Sequence, residues 1–399
     1  PDLAIHWDVA EDGVTWTFEI RSDASWHDGS AVTTDDLVFS LQRVIDPPPG
    51  VSVGRAGSFA RYVPNSDMIT MVDDHTLVIR TQYPSASFIA NIASVYLSIY
   101  PRDVTEALSP QSMVQFDQVV GSGPFMAHSS IRGSFYKMRR NDNYYDSNRP
   151  YLDELWYLVM PQPAVRLAAL TARQVDMISI ITEAEAKTLE REHGENIRVL
   201  EAPSAGGNTL QLNTQRTPFD DPRVRRAVNL AISRADASVV LGGGLDGAIM
   251  PPGGPWALAD NEVATLPGMG DKNAEREEAK RLMADAGYPV GLRMTLHTRA
   301  NPFFRSLASF AAGQLREIGI IADVVAMEPV AYQDLLLRGD HTVIAHSHSF
   351  PLDDPDAILP DHYSCRGVEN FPRICDIEID DMIKKQSREL DRDVRKSLI

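Results

Sequence analysis

The stretch 291–326 constrains the fold more than any other part of the chain. It reads as a strand pattern at 291–298, a helix at 302–318 and a second strand at 320–326. Leu307, Phe310, Ala311, Leu315 and Ile318 repeat at helical spacing, and Gly319 stops the helix. Two strands separated by a helix of this length pair as parallel neighbours through a crossover. The fold class is therefore expected to be α/β. Further pieces agree: Asp221 caps a helix with Pro222 at its first position, with Val224, Ala227, Val228, Ala231 and Ile232 as its stripe. Another helix spans 274–286 before Gly287.

Residues 202–207 (Ala-Pro-Ser-Ala-Gly-Gly) form the clearest boundary, and the strand 210–213 follows it. A glycine patch at 242–247 and the segment 251–256 read as loop. Before the boundary the chain is mixed. Trp16, Phe18 and Ile20 alternate on one face of a strand at 15–21, and 75–80 is a second strand. A helix is predicted over 85–96, strands over 135–140, 151–160 and 175–180, and a short helix over 164–170. At 25–46 a tight turn, His27-Asp28-Gly29-Ser30, runs into a helix. Thr33 is its N-cap, Asp36 is placed as in a capping box, and Pro47-Pro48-Pro49 stops it.

At 399 residues the chain is expected to form two or three lobes. Its net charge of −17 supplies no basic excess to displace phosphate counterions, so nucleic acid is excluded as a partner. The same charge disfavours docking on an anionic membrane surface. No run reaches the ~20 apolar residues of a membrane helix. The first residues carry no leader pattern, and both ends look cut, so this says nothing of compartment.

Cys365 and Cys375, the only cysteines, stand in a polar, turn-rich segment. They read either as two unrelated thiols or as a small disulfide-closed loop of an oxidising compartment, worth about 2–3 kcal/mol. The disulfide is the favoured reading.

The chemistry-bearing motifs are few. Gly121-Ser122-Gly123-Pro124 lacks the pattern of a nucleophile elbow, and His27-Asp28 reads as a turn. No P-loop, dinucleotide fingerprint or paired-histidine zinc helix occurs. His346 and His348 lie two apart, so on a strand they share a face. With Asp353, Asp354, Asp356, His362 and Cys365 close behind, they are the candidates for a metal. The competing reading makes the aspartates a capping loop and the histidines cleft-lining groups. No metal or cofactor is assigned.

Spaced motifs add a resemblance. W-H-D-G at 26–29 with T-T-D-D-L-V-F-S-L-Q-R at 33–43 resembles a signature of the family 5 extracytoplasmic solute-binding proteins, the peptide-, dipeptide- and nickel-binding receptors of ABC importers. So do V-G-S-G-P-F at 120–125, R-N-D-N-Y-Y at 140–145, R-P-Y-L-D-E-L at 149–155 and R-L-A-A-L-T-A-R-Q-V-D-M at 166–177. P-F-D-D-P-R-V-R-R-A-V-N-L-A-I-S-R at 218–234 and E-A-K-R-L-M-A-D-A-G-Y at 278–288 continue the series in order.

The resemblance implies a large type II periplasmic-binding-protein-like fold: two ligand-gripping lobes plus an extra small lobe. Residues 1–117 would be the small lobe, 118–205 an incomplete first gripping lobe, and 206–399 the hinge strand and second gripping lobe. Segments before residue 1 and after residue 399 would complete the first. The implied function is capture of a peptide or peptide-like solute by hinge closure, without catalysis. The receptor would be a monomer in the periplasm or another extracytoplasmic compartment, its signal peptide removed. It would reach the membrane through an ABC permease.

In the family, the hinge strand's ligand-facing side falls here on Thr209 and Gln211. Peptide receptors also carry G-W-x-x-D-Y-x-x-P, whose aspartate holds the ligand's amino group. Aligned on Asp354, the Trp position is His348 and the anchoring position Pro351, with Asp353 as substitute if the alignment slips. Ser347, His348, Ser349 and Phe350 are thus expected to touch ligand, and the cargo stays open. A metal chelate, an opine or an oligosaccharide is the alternative on the same scaffold. A secreted hydrolase using His and Asp of 346–356 is the alternative of another class.

Overall fold

A computed structural model describes residues 2–51, 53–108, 115–179, 181–201, 206–241, 248–349 and 352–399. The boundary residues 202–205 and the glycine patch 242–247 lie outside the described residues. The chain forms two compact units, Pro1–Ser179 with Arg388–Leu390, and Ile180–Ser387 with Asp391–Ile399.

In the first unit, β1 (Ala4–Val9), β2 (Thr15–Ile20), β3 (Ile69–Asp73) and β4 (Thr76–Arg80) form an antiparallel sheet of order β1-β2-β4-β3. The alternation of β2 works as the sequence predicts: Trp16, Phe18 and Ile20 are buried and their neighbours are exposed. Leu77, Ile79, Phe59 and Phe88 complete that core. A second antiparallel sheet has the order β5 (Phe125–Ile131), β6 (Phe135–Arg140), β7 (Glu154–Leu158).

The helix expected after Thr33 spans Thr34–Ile45 and buries Leu37 and Leu41. Its anchor is the buried Asp36 carboxylate. One oxygen accepts from the Thr33 N–H at 2.9 Å, the Thr33 hydroxyl at 3.0 Å and the Trp26 indole at 3.2 Å. The other accepts from the Arg102 N–H at 2.8 Å. His27 joins the 26–29 motif to the 120–125 motif, accepting from the Gly121 N–H at 3.2 Å and donating to the Gly123 carbonyl at 3.0 Å. These sequence motifs are therefore a scaffold of satisfied polar groups.

Two expectations need correction. The helix at 85–96 shrinks to Phe88–Ile92, because the chain then tightens into three-residue turns, with the Ser94 N–H on the Asn91 carbonyl and the Leu97 N–H on the Ser94 carbonyl. The strand at 175–180 is absent over the described 175–179. Arg173 takes a left-handed φ of 57°, and the Gln174 N–H folds back onto the Ala169 carbonyl, so the chain leaves the helix without meeting a partner strand.

The second unit carries the predicted β-α-β core. β8 (Gly206–Leu212), β9 (Leu292–Arg299), β10 (Ile320–Met327) and β11 (Val343–Ser349) are ordered β10-β9-β11-β8. β10 and β11 run parallel to β9, and β8 runs antiparallel to β11. One face packs on helices Pro222–Ala231, Lys272–Asp285 and Pro302–Arg316, through Val224, Ala227, Leu296, Leu315, Val343 and Ala345. The other face packs Ile344 on Tyr332 and Leu336 of helix Pro329–Arg338.

Removing the Asp36 carboxylate orphans buried donors on three segments. Asp36→Ala is expected to lower the stability of the first unit by about 2–3 kcal/mol. Urea denaturation followed by Trp fluorescence measures this, with Asp35→Ala, which removes only the pairing of a half-buried carboxylate with the Arg102 guanidinium, as the comparison.

Candidate ligand-binding site

In a sheet of parallel strands, ligands meet the carboxyl ends of the strands. Here that edge carries Arg299 of β9, Met327 of β10 and Ser349 of β11. Because β8 is antiparallel, its first residues, Gly206 and Gly207, lie at the same edge, opposite Ser349 and His348. Gly206 is required there, whereas a side chain at Gly207 would meet the His348 ring only at ordinary contact distance. A Cβ on Gly206 would stand 2.4 Å from the His348 carbonyl oxygen, and one on Gly207 3.4 Å from the His348 ring.

The register pairs His346 with Thr209 and Ile344 with Gln211, so Thr209, Gln211, His346 and His348 share one face, as expected from their spacing. Alternation puts Ser347 and Ser349 on the opposite face. Phe350 and Pro351 lie outside the described residues. The shared face is closed over much of its length. His346 is 5% exposed, stacked on Tyr332 with centroids 5.9 Å apart and meeting the edge of Phe371 at 5.7 Å. The Tyr332 hydroxyl and His346 Nδ1 share a hydrogen bond of 3.1 Å. The Gln211 amide donates to the Thr209 hydroxyl and that hydroxyl to the His346 carbonyl, both at 3.4 Å. The Gln211 Oε1 is buried with no hydrogen-bond partner among the described residues.

His348 lies nearer the strand end, its ring 5.4 Å from that of His362, which pairs with Glu369 at 3.0 Å. Burial drives the His346 and His348 pKa values down to about 4, helped by the Arg299 charge for His346 and by His362 for His348. Both rings are therefore neutral at pH 7. His346 is engaged by Tyr332 and His348 stands beside His362. Among the described residues no three His, Cys, Asp or Glu groups converge as a metal ligand set.

The aspartates of 353–356 divide into two kinds. Asp354 takes both ends of the buried Arg395 guanidinium, at 2.7 and 2.9 Å, and caps the Asp356 N–H at 2.9 Å. Asp356 accepts from the Gln386 amide at 2.6 Å. These are structural groups, the capping role the sequence suggests. Asp353 is exposed, forms no side-chain hydrogen bond or ion pair with a described residue, and has its pKa raised by partial burial and by Asp354. Its carboxylate stands over Gly254, where a Cβ would come within 2.8 Å of Oδ2.

Arg299 was not singled out by the sequence. Its guanidinium lies over Phe304 at 5.2 Å and Tyr332 at 5.5 Å, lining a cavity of about 440 Å³ with Asn301 and Gln333. No carboxylate pairs with it among the described residues. The available signal was positional: a lone cation closing a parallel strand just before the helix cap Asn301. Cys365 and Cys375 are joined as a disulfide, 4.4 Å apart at Cα. Among the described residues no helix is long and apolar enough to cross a membrane.

Comparison with known proteins finds relatives over nearly the whole chain. The sequence model of bacterial extracellular solute-binding proteins, family 5 Middle, matches residues 1–370. The dipeptide-binding protein of Escherichia coli K12 is 25% identical over 408 residues, covering 96% of this chain and 74% of that protein. The heme-binding protein A of Haemophilus influenzae is 25% identical over 409 residues, covering 96% and 73%. Among solved structures, the periplasmic binding protein DppA of Helicobacter pylori in complex with the peptide STSA superposes with a TM-score of 0.83. It is 25% identical and covers 100% of this chain and 80% of that one.

The buried histidines make stability depend on pH. In the unfolded chain they take up protons near 6.5, and in the folded chain only near 4. Their contribution is complete above pH 6.5 and is lost as pH falls from 6.5 to 4. His346→Gln, which keeps an acceptor for Tyr332, is expected to reduce the pH slope of unfolding free energy in that window by about one proton. Urea titrations at stepped pH measure the slope.

Proposed function

The chain belongs to the bacterial extracellular solute-binding proteins, family 5, and on that premise we propose that it is the receptor of an ABC importer for a short peptide. It would work outside the cytoplasm and hand its cargo to an inner-membrane permease. The division into 1–117, 118–205 and 206–399 belongs to the same proposal. The observation that carries it is a pair of opposite, unpaired charges at the carboxyl ends of the strands of the second unit. Arg299 lines the cavity there, and Asp353 follows the end of β11. A zwitterionic peptide offers a carboxylate for a guanidinium fork and an ammonium for a carboxylate, both as charge-assisted hydrogen bonds. Asp353 thus takes the amine-anchoring role that Pro351 cannot fill. His348, Thr209 and Ser349 would supply polar contacts around the peptide backbone, Phe350 an apolar one, and neutral histidines add no charge to repel its amino end.

Two features of the relatives support the reading: one is named for dipeptides, and one structure holds a peptide. The name of the heme-binding relative makes cargo a property of individual members rather than of the scaffold. Two of the groups that a His–Asp hydrolase could use are engaged elsewhere, His346 by Tyr332 and Asp354 by Arg395.

Isothermal titration with a free dipeptide, its N-acetyl form and its C-amide form tests the assignment. The free dipeptide is expected to bind, and each blocked form to bind about ten-fold or more weakly. Arg299→Ala should abolish discrimination against the amide, and Asp353→Asn discrimination against the acetyl form. Equal affinity for all three forms, or binding of a nickel chelate, opine or oligosaccharide with no binding of peptide, would sink the proposal.

A further inference from the structure

A second cavity in the same unit, of about 660 Å³, opens at the other edge of the sheet. Asn213, just past the end of β8, and Gly339, ahead of β11, lie on its wall, so it stands at the amino ends of the parallel strands. Its lining is unusual for a chain of net charge −17, because four guanidinium groups face it: Arg216, Arg338, Arg366 and Arg373. Two are balanced. Arg216 pairs with Asp340 at 2.9 Å, and Arg338 Nε with Asp334 at 3.0 Å. Arg366 forms no hydrogen bond or ion pair with a described residue. The Arg373 guanidinium donates to the Leu337 carbonyl, at 3.0 Å, and pairs with no carboxylate among the described residues. The nearby Asp380 accepts from the Cys365 N–H and pairs with Lys384 at 2.7 Å, and it feels the Arg366 charge without forming an ion pair with it.

The wall is held rigidly. The Cys365–Cys375 disulfide closes the loop that carries Arg366 and Arg373. Inside that loop Asn370 donates to the carbonyls of Ser364 and Ile374 and accepts from the Ile374 N–H. Arg373 holds a left-handed φ of 56°, and its guanidinium lies against Gly339, where a Cβ would stand 3.1 Å away. Thr214 bonds the Pro372 and Arg373 carbonyls from the other side. These bonds fix the Arg373 backbone, and with it the place of its guanidinium on the cavity wall.

We propose that this cavity binds a small polyanion through its carboxylate or phosphate groups, with Arg366 and Arg373 as the principal contacts. Guanidinium forks match both kinds of group bidentately, and the volume is that of a small-molecule site. A small anion suits it better than an acidic protein surface, which the overall charge of this chain would repel. The site is separate from the peptide groups at the opposite edge and does not rest on them.

Calorimetric titration of the whole chain with citrate, pyrophosphate and uncharged glycerol tests it. Citrate, pyrophosphate or both should bind saturably, more weakly at raised salt, and glycerol should not. The preferred anion tells carboxylate from phosphate. Arg366→Ala is expected to weaken binding about ten-fold or more. Because Arg366 makes no structural bond, the melting temperature and any peptide binding should stay as in the parent. No saturable binding of either anion overturns the proposal. So does an affinity that Arg366→Ala leaves unchanged, or competition of the anion with a bound dipeptide.

Discussion

The second unit depends on the close approach of β8 to β11. Placing an antiparallel strand beside the last parallel one turns β11 from an edge into an interior strand, with the carbonyl of His348 at 2.4 Å from where a Gly206 side chain would begin. Only a residue without Cβ fits that contact. On β11, His346 is buried under Tyr332 and Phe371, and its satisfied bond to Tyr332 follows from the cost of burying an unpaired imidazole. The same pairing brings Gly207 under the His348 ring and leaves the carboxyl ends of the strands as a place where polar side chains gather.

Charge is distributed in this unit according to burial. The most buried arginine, Arg395, is fully engaged by Asp354 and Gln386, as a guanidinium that is 2% exposed has to be. The guanidinium groups of Arg299, Arg366 and Arg373, which lack a carboxylate partner among the described residues, line cavities: Arg299 at one edge of the sheet, Arg366 and Arg373 at the other. In an acidic chain, cations gathered on two cavities offer anionic groups two local destinations.

Local signals carried far in this chain. The capping box at Thr33 and Asp36, the alternation of β2 and the β-α-β stretch were legible because each depends on residues a few positions apart. The shared face of Thr209, Gln211, His346 and His348 was partly legible, since strand period decides the face but not what covers it. The covering by Tyr332 and Phe371, which closes off His346, comes from segments distant in sequence. Arg299 escaped notice for the same reason: nothing near it in sequence says that Phe304 and Tyr332 hold its guanidinium over a cavity without a carboxylate. The helix expected at 85–96 is shorter than its apolar composition suggests, because tight turns at Ser94 and Leu97 follow Ile92.

By itself the sequence determined the class of fold, the turn and caps of the first unit, the family and the shared strand face, because periodicity, capping and ordered motifs are properties of neighbouring residues. Only the tertiary structure decided which ionisable groups are used up and which are open. Asp354 and Asp353 are adjacent and chemically identical, yet one is buried against Arg395 and the other faces solvent. That difference arises from partners 41 residues away in the chain, and desolvation, which sets the protonation and pairing of every such group, exists only once those partners have met.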